Sequence, residues 1–153
     1  MKRFVILALA VLSGVLAATS GASAQQRTLK QQLIGTWRFG SSVDLRKGGE
    51  RLNRWGANPV GIFMFTENGR YAQMIMRTEV RAFGTKTVAS FGTYTVNEAD
   101  KTILTHMEGS SIPKFIGAEE KRQIISLTGD ELKYSNPSTT AGTSVVATWR
   151  RVR

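Results

Sequence analysis

The chain contains one histidine, His106, and Glu108 follows it at a spacing that would put both side chains on one face of a β-strand. Such residues lie about 7 Å apart, which is too far for a hydrogen-bonded pair. They could still flank a substrate, one as base and the other as acid, in an isomerase or a cyclase. Arg122, on the next predicted strand, could neutralise Glu108, because an unpaired buried charge is costly. His106 and Glu108 are therefore the candidate catalytic residues if the protein is an enzyme.

Either face of the strand that carries His106 could point to the interior. In one arrangement His106 and Glu108 line a cavity. In the other, Ile103, Thr105 and Met107 point inward, and His106 and Glu108 are ordinary surface residues. Both arrangements satisfy the alternation of side chains along a strand, so the pattern leaves the choice open.

Other catalytic arrangements are missing from the sequence. With one His and no Cys, neither a thiolate site nor a protein-only zinc site is expected, and disulfides are excluded. There is no Gly-x-Ser-x-Gly elbow and no phosphate-binding glycine loop, which removes the common signatures of hydrolases and nucleotide enzymes. We therefore expect no metal and no cofactor, and we favour a binding protein over an enzyme.

The first 24 residues have the layout of a signal peptide. Lys2-Arg3 is followed by an apolar run over residues 4–18 and by the small-residue cleavage site Ala22-Ser23-Ala24. Cleavage would leave one domain, residues 25–153, without a membrane-spanning segment and without a Cys to carry a lipid. The expected location is the periplasm or the outside of the cell.

The net charge of the chain is +10, and the loss of Lys2 and Arg3 with the leader would leave +8. A surface this basic attracts anions. Nucleic acid is not an expected partner of an exported protein, so acidic envelope lipids or a carboxylated small molecule are the better candidates. The alternative is that the basic face only keeps the protein soluble.

Short β-rich runs separated by turn residues follow the leader. Thr28 can cap a short helix over residues 28–34, and Asn68-Gly69 supplies the positive-φ positions that a hairpin turn needs. Eight predicted strands, joined mostly by hairpins, indicate an all-β, eight-stranded antiparallel up-and-down barrel with a short N-terminal helix. Eight strands leave room for one small ligand. The predicted strands are 36–43, 60–66, 71–77, 90–96, 102–108, 122–127, 131–135 and 144–152.

Several short motifs follow one another along the chain. They are Leu33-Ile34-Gly35-Thr36-Trp37, Asn58-Pro59-Val60-Gly61, Thr66-Glu67-Asn68-Gly69-Arg70-Tyr71, Gly92-Thr93-Tyr94-Thr95-Val96, His106-Met107-Glu108-Gly109-Ser110 and Trp149-Arg150-Arg151-Val152. In their order and spacing, these motifs resemble the lipocalin-like domain family of small bacterial and fungal proteins. The resemblance implies the same barrel, an interior position for the stretch from His106 to Arg122, and Arg151 as the partner of Trp37.

One end of such a barrel needs to be closed. Gly35 would let the helix approach that end, and the Trp37 indole would plug it, with the Arg151 guanidinium across the ring. These three residues are predicted to stabilise the fold and to perform no chemistry.

The predicted cavity lining draws on the methionines and on a long loop. Met74 and Met76 share a face with Ala72, which would leave space in the lumen, although core filling is the alternative. The basic loop over residues 44–58 could place Trp55 over the ligand as a lid, or it could simply be exposed. The candidate ligand-binding residues are His106, Glu108, Ser110, Arg122, Met74, Met76 and Trp55.

Three functions remain open from the sequence. The first is a barrel that binds or carries a small, partly apolar molecule that could be anionic. The second is a small isomerase or cyclase that uses His106 for proton transfer. The third is an envelope interaction or stress scaffold that acts through its basic surface.

Overall fold

In the computed structural model of the protein, residues 26–79, 86–139 and 143–153 are described. The predicted signal peptide, residues 1–24, lies outside these ranges. Secondary structure begins with one short helix and continues almost entirely as strands. The elements are α1 (Leu29–Leu33), β1 (Gly35–Leu45), β2 (Arg51–Leu52), β3 (Val60–Phe65), β4 (Arg70–Met76), β5 (Thr87–Asn97), β6 (Thr102–Ser110), a 3₁₀ turn (Pro113–Phe115), β7 (Glu119–Leu127), β8 (Glu131–Asn136) and β9 (Ser144–Arg151).

The strands form one closed antiparallel barrel. From β3 to β9 each strand pairs with the next along the chain, and β1 pairs with both β3 and β9, which closes the barrel. The two-residue strand β2 pairs only with the end of β1 and is not one of the eight strands of the barrel. The predicted fold class, an eight-stranded up-and-down barrel with a short N-terminal helix, is confirmed. The helix also begins as predicted, because Thr28 and Gln31 form a reciprocal capping box.

The barrel has two unlike ends, which we name the base and the mouth. The base holds α1 and the connections 66–69, 98–101 and 128–130. The mouth holds the connections 46–59 and 111–118, together with the described residues 77–79, 86, 137–139 and 143. Strand β1 runs from the base to the mouth, and β3 returns.

Large aromatic side chains fill the base half of the barrel. Trp37, Phe63 and Trp149 are fully buried, and the rings of Phe63 and Trp149 lie 5.3 Å apart, edge to face. The Phe63 and Phe65 rings lie 4.1 Å apart. Burial of each such side chain contributes about 1.5–3 kcal/mol. Packed aromatic side chains therefore form the core of this half of the barrel.

The Arg151 guanidinium closes the base. It lies 4.0 Å from the centre of the Trp37 ring, and its Nη1 donates to the Ile34 carbonyl at 2.9 Å. The same side chain donates to the Gln32 and Gly129 carbonyls, while Trp37 Nε1 donates to the Leu33 carbonyl at 2.9 Å. One cation thus ties the last strand to the end of α1. The sequence predicted this trio for the base, with Gly35 making space for the helix.

Gly35 makes space for Arg151 instead of for the helix backbone. Its φ is +129°, and a Cβ at this position would lie 2.7 Å from Arg151 Nη1. A side chain here would therefore be strained twice, by its backbone conformation and by the guanidinium.

The hairpin turn between β3 and β4 differs from the prediction. Only Gly69 adopts a positive φ, +79°, whereas Asn68 does not. Thr66 N–H donates to the Arg70 carbonyl and Gly69 N–H to the Thr66 carbonyl, so the loop is longer than a two-residue turn. Hairpin loops of this length need a single left-handed residue.

One-residue bulges shift the side-chain alternation of the barrel. Between β5 and β6, Phe91 pairs with Gly109 and Gly92 pairs with Met107, so Glu108 has no partner in the ladder. Because of this extra residue, Ser110 points to the same side as Met107 and not to the side of Glu108.

We expect Gly35→Ala to lower the free energy of unfolding by about 1–3 kcal/mol, because the methyl group meets Arg151 and φ stays positive. Urea denaturation measures this change. Gly48→Ala is the control, since Gly48 has open space around it and no positive φ. Equal effects of the two substitutions would show that the contact between Gly35 and Arg151 does not matter.

Candidate functional site

A cavity of about 340 Å³ occupies the mouth half of the barrel, directly above the aromatic core. This volume lies within the range of small-molecule sites. Much of the wall is aliphatic or aromatic, so a ligand with an apolar body would be desolvated there. The apolar lining includes Phe39, Trp55, Ile75, Val88, Met107 and Val145.

The floor of the cavity is a buried ion pair. Arg122 is 3% exposed, and its Nη2 donates to Glu120 Oε2 at 2.7 Å and to Gln73 Oε1 at 3.3 Å. Its Nη1 donates to Thr105 Oγ1 at 2.5 Å. The charge of Arg122 is thus balanced within the protein, and a ligand need not bring an anion to the floor.

Two aromatic rings hold the Arg122 guanidinium in place. The centres of the Phe63 and Tyr134 rings each lie 5.6 Å from its central carbon. Burial raises the pKa of Tyr134 despite the nearby Arg122 cation, so the phenol keeps its proton at neutral pH. The Tyr134 oxygen accepts a hydrogen bond from Trp149 Nε1 at 3.3 Å, which links the floor to the core below.

Positive charge is in excess near the mouth. Asp44 is 2% exposed and pairs with Arg54, whose Nε lies 2.5 Å from Asp44 Oδ2. Lys86 and Lys114 also line the cavity, and Lys86 Nζ lies 5.8 Å from the centre of the Trp55 ring. Burial lowers the pKa of Lys86, and repulsion from Arg54 and Arg77 lowers it further. An anion bound near Lys86 would relieve this repulsion.

Uncharged polar groups are also available on the wall. Ser42 Oγ is buried, and within the part of the chain that the structure describes it has no hydrogen-bond partner. Asn136 is 4% exposed and lines the cavity, as does Ser110. These groups could hydrogen-bond to polar atoms of a ligand.

His106 and Glu108 lie on the outside of the barrel, so the predicted interior cluster is wrong. Both side chains are exposed, whereas Ile103, Thr105 and Met107 take the inward positions with 0%, 0% and 4% exposure. The strand packs its apolar face inward because that face meets the core.

The ionic partners also differ from the prediction. Glu108 binds Arg70 on the outer surface through two hydrogen bonds of 2.7 and 2.6 Å. Hydrogen bonding to Arg70 lowers the pKa of Glu108. Arg122 pairs with Glu120 and not with Glu108. Since His106 does not reach the cavity, it cannot act there as acid or base.

The predicted methionine lining is wrong as well. Met74 is 36% exposed on the outer face of β4, and Met76 shares that face, while Gln73 and Ile75 point into the cavity. Of the other predicted residues, Ser110, Arg122 and Trp55 do line the cavity. Arg54 and Trp55 are the residues of the basic loop that line the cavity, and a role of the loop as a lid stays a prediction.

The sequence interpretation missed Glu120, Gln73, Asp44, Lys86 and Lys114. Glu120 stands two residues before Arg122, the spacing of two side chains on one strand face, and that signal could have identified the floor pair. The lysines lie in or beside connections, where alternation carries no information.

The described residues, 26–79, 86–139 and 143–153, show neither a metal-binding cluster nor a membrane-spanning helix. Within them, no three or more Asp, Glu or His side chains are grouped as a metal site would require. Of the helices in the same ranges, none has both the length and the apolar character needed to cross a membrane.

We expect Arg122→Met to lower the free energy of unfolding by about 3–5 kcal/mol, because it removes the buried cation that pairs with the largely buried Glu120 carboxylate. The double variant Arg122→Met, Glu120→Gln should be more stable than Arg122→Met alone. Thermal or urea unfolding of the two single variants and the double variant gives the coupling energy. Additive losses would contradict the assignment of a coupled floor pair.

Residues 77–152 match the sequence model of the lipocalin-like domain family. The matched segment begins directly after β4 and includes all strands from β5 to β9. No protein of curated function matches the chain significantly.

Several solved structures are similar to this chain, at low sequence identity. A lipocalin-like protein from Bacteroides uniformis is 13% identical, with 79% of this chain and 99% of that chain covered and a TM-score of 0.47. Bovine odorant-binding protein complexed with its natural ligand is 17% identical, with 84% and 76% covered and a TM-score of 0.47. A designed fluorescence-activating β-barrel is 14% identical, with 83% and 100% covered and a TM-score of 0.49.

The family match covers the strands that supply Met107, Glu120, Arg122 and Tyr134 to the cavity. The closed barrel is the fold that the family implies, and it is consistent with the binding of a small molecule. Residues 77–152, about half of the chain, thus carry the sequence pattern of the lipocalin-like domain family.

Proposed function

We propose that the protein binds a small, partly apolar and anionic molecule in the cavity at the mouth of its barrel. The observation that carries this proposal is the composition of the cavity wall. Apolar side chains form its middle, whereas Arg54, Lys86 and Lys114 stand near the mouth, where Asp44 is the one buried acid among the described residues.

The middle of the wall accounts for the apolar part of the ligand. Phe39, Ile75, Val88 and Met107 come from four different strands and enclose one space. Transfer of apolar surface from water into this space is favourable by about 25 cal/mol per Å². Met107 is flexible, so the wall can adapt to ligands of different shape.

The distribution of charge supports an anionic group that points toward the mouth. The Arg122 cation at the floor is already paired with Glu120, but the cations near the mouth exceed the acids there. A carboxylate or sulfonate near Lys86 and Lys114 would bind in partly dehydrated surroundings, where ionic attraction is stronger than in water.

The predicted leader supports action of the protein in the periplasm or outside the cell. A carrier or a sequestering protein fits the site better than an isomerase, because the lone histidine lies on the outer surface. Mass spectrometry of the native protein, purified without detergent, would detect a bound acid directly.

The cavity should distinguish two probes of nearly the same shape. We expect 8-anilinonaphthalene-1-sulfonate to bind more tightly than the uncharged N-phenyl-1-naphthylamine. The double variant Lys86→Met, Lys114→Met should weaken only the sulfonate, by about tenfold, through loss of two ionic contacts. Fluorescence titration measures both affinities.

Val88→Phe is the matched control, because it fills the cavity without changing any charge. Both probes should lose binding to this variant. If both probes bound Val88→Phe as tightly as the original protein, their site would lie elsewhere and the proposal would fail.

The affinity for the sulfonate should fall as the pH rises from neutral toward 10.5, the ordinary pKa of lysine. Burial and the neighbouring arginines lower the pKa of Lys86 in the free protein, and a bound anion raises it again. Binding therefore takes up a proton, and it weakens once free Lys86 is neutral. The Lys86→Met variant should show a flatter profile in the same titration.

A further inference from the structure

Part of the outer surface of the barrel is apolar and faces solvent. Val60, Ile62 and Met64 of β3, Met74 and Met76 of β4, and Phe91 of β5 point outward side by side, and we name them the outer apolar face. Ala72 and Ala89 occupy the positions between them, so no charged side chain interrupts the face. Val60 is 46% exposed and Phe91 is 52% exposed.

The outer apolar face reaches the mouth of the barrel, and the mouth is basic. Val60 and Met76 are the mouth-side ends of β3 and β4. The described mouth segments, residues 46–59, 77–79, 86, 111–118, 137–139 and 143, carry seven basic side chains and two acidic ones. At the base, residues 26–34, 66–69, 98–101, 128–130 and 152–153 carry four basic and four acidic side chains. The basic mouth side chains are Arg46, Lys47, Arg51, Arg54, Arg77, Lys86 and Lys114.

The size of the face argues against a second copy of the chain as its occupant. The face spans three strands and five residues along each, which is on the order of 200 Å². A stable protein interface needs about 800 Å² from each partner. The neighbouring surface that would have to complete it is basic in both copies, so two mouths would repel each other.

An anionic lipid surface meets both features at once. Its interior accepts apolar side chains such as Val60, Met74 and Phe91, and its headgroups attract the basic mouth. We propose that the outer apolar face and the basic mouth together dock the protein on an anionic lipid surface. The docking brings the mouth of the cavity to the membrane, and it does not require an occupied cavity.

Co-sedimentation with lipid vesicles tests the proposal. The sample is the protein as it is recovered after export by the expressing cell. Vesicles of equal parts phosphatidylglycerol and phosphatidylcholine should bind the protein, and added salt should weaken this binding. Vesicles of phosphatidylcholine alone should bind it at least about tenfold more weakly, because they lack the charge. Equal binding to both vesicles would overturn the proposal.

Substitutions separate the apolar from the ionic contribution. Val60→Ser with Met74→Ser should weaken vesicle binding about five- to tenfold, as should Lys47→Gln with Arg51→Gln. Ile125→Ser is the matched control, because Ile125 is 51% exposed on β7, outside the face. An equal loss for Ile125→Ser, or no loss for Val60→Ser with Met74→Ser, would overturn the proposal.

Two further measurements show why vesicle binding would fail, if it did. If sedimentation without lipid showed a dimer that Val60→Ser with Met74→Ser dissociates, a second copy would cover the face and lipid docking would be wrong. In all of these variants the cavity should bind the anilinonaphthalene sulfonate as before. A variant that loses vesicle binding but still binds the probe therefore tests the docking proposal and leaves the proposed ligand binding in the cavity unaffected.

Discussion

The structure depends on the alternation of side chains in a closed barrel. Trp37 and Phe63 point inward at the base. The pairing register then determines, for each remaining residue of the eight long strands, whether its side chain points to the interior or to solvent. Only a bulge can change this assignment, and the unpaired Glu108 does so in β6. The alternation therefore decides which side chains a ligand can reach. It puts Met107 and Ser110 in the cavity and leaves His106 outside.

The two halves of the barrel divide stability from binding. In the base half, tryptophan and phenylalanine rings fill the interior, and Arg151 joins the last strand to the helix above Trp37. In the mouth half, smaller side chains leave a cavity, and its floor is the ion pair of Arg122 with Glu120. Since the core below is packed and the floor is neutral overall, the mouth can carry an excess of positive charge without endangering the fold. That excess is available to an anionic ligand and to an anionic surface.

The sequence predicted the barrel, its strands and the residues that close its base, because each of these follows from local patterns. Turn residues separate the strands, and Gly35-Thr36-Trp37 opens the first strand of the barrel. Local patterns do not determine which face of a strand points to the interior. Along β6, both sets of alternating residues are acceptable inside a barrel, and nothing local reveals that the strand bulges at Glu108. Met74 and Met76 were misplaced for a related reason, since an apolar side chain usually points inward, but here it forms part of an exposed face. Lys86 and Lys114 belong to connections whose position depends on the whole fold.

The methionines offer the most direct test of the central claim, that the cavity at the mouth binds an apolar anion. Beyond the predicted leader the chain has four, of which Met107 lies inside the cavity while Met64, Met74 and Met76 lie on the outer face. Carbon-13 labelling of the methionine methyl groups gives one NMR signal for each. We predict that 8-anilinonaphthalene-1-sulfonate shifts the Met107 signal and shows nuclear Overhauser contacts to that methyl. A response confined to the three outer methionines, with Met107 unchanged, would contradict the account.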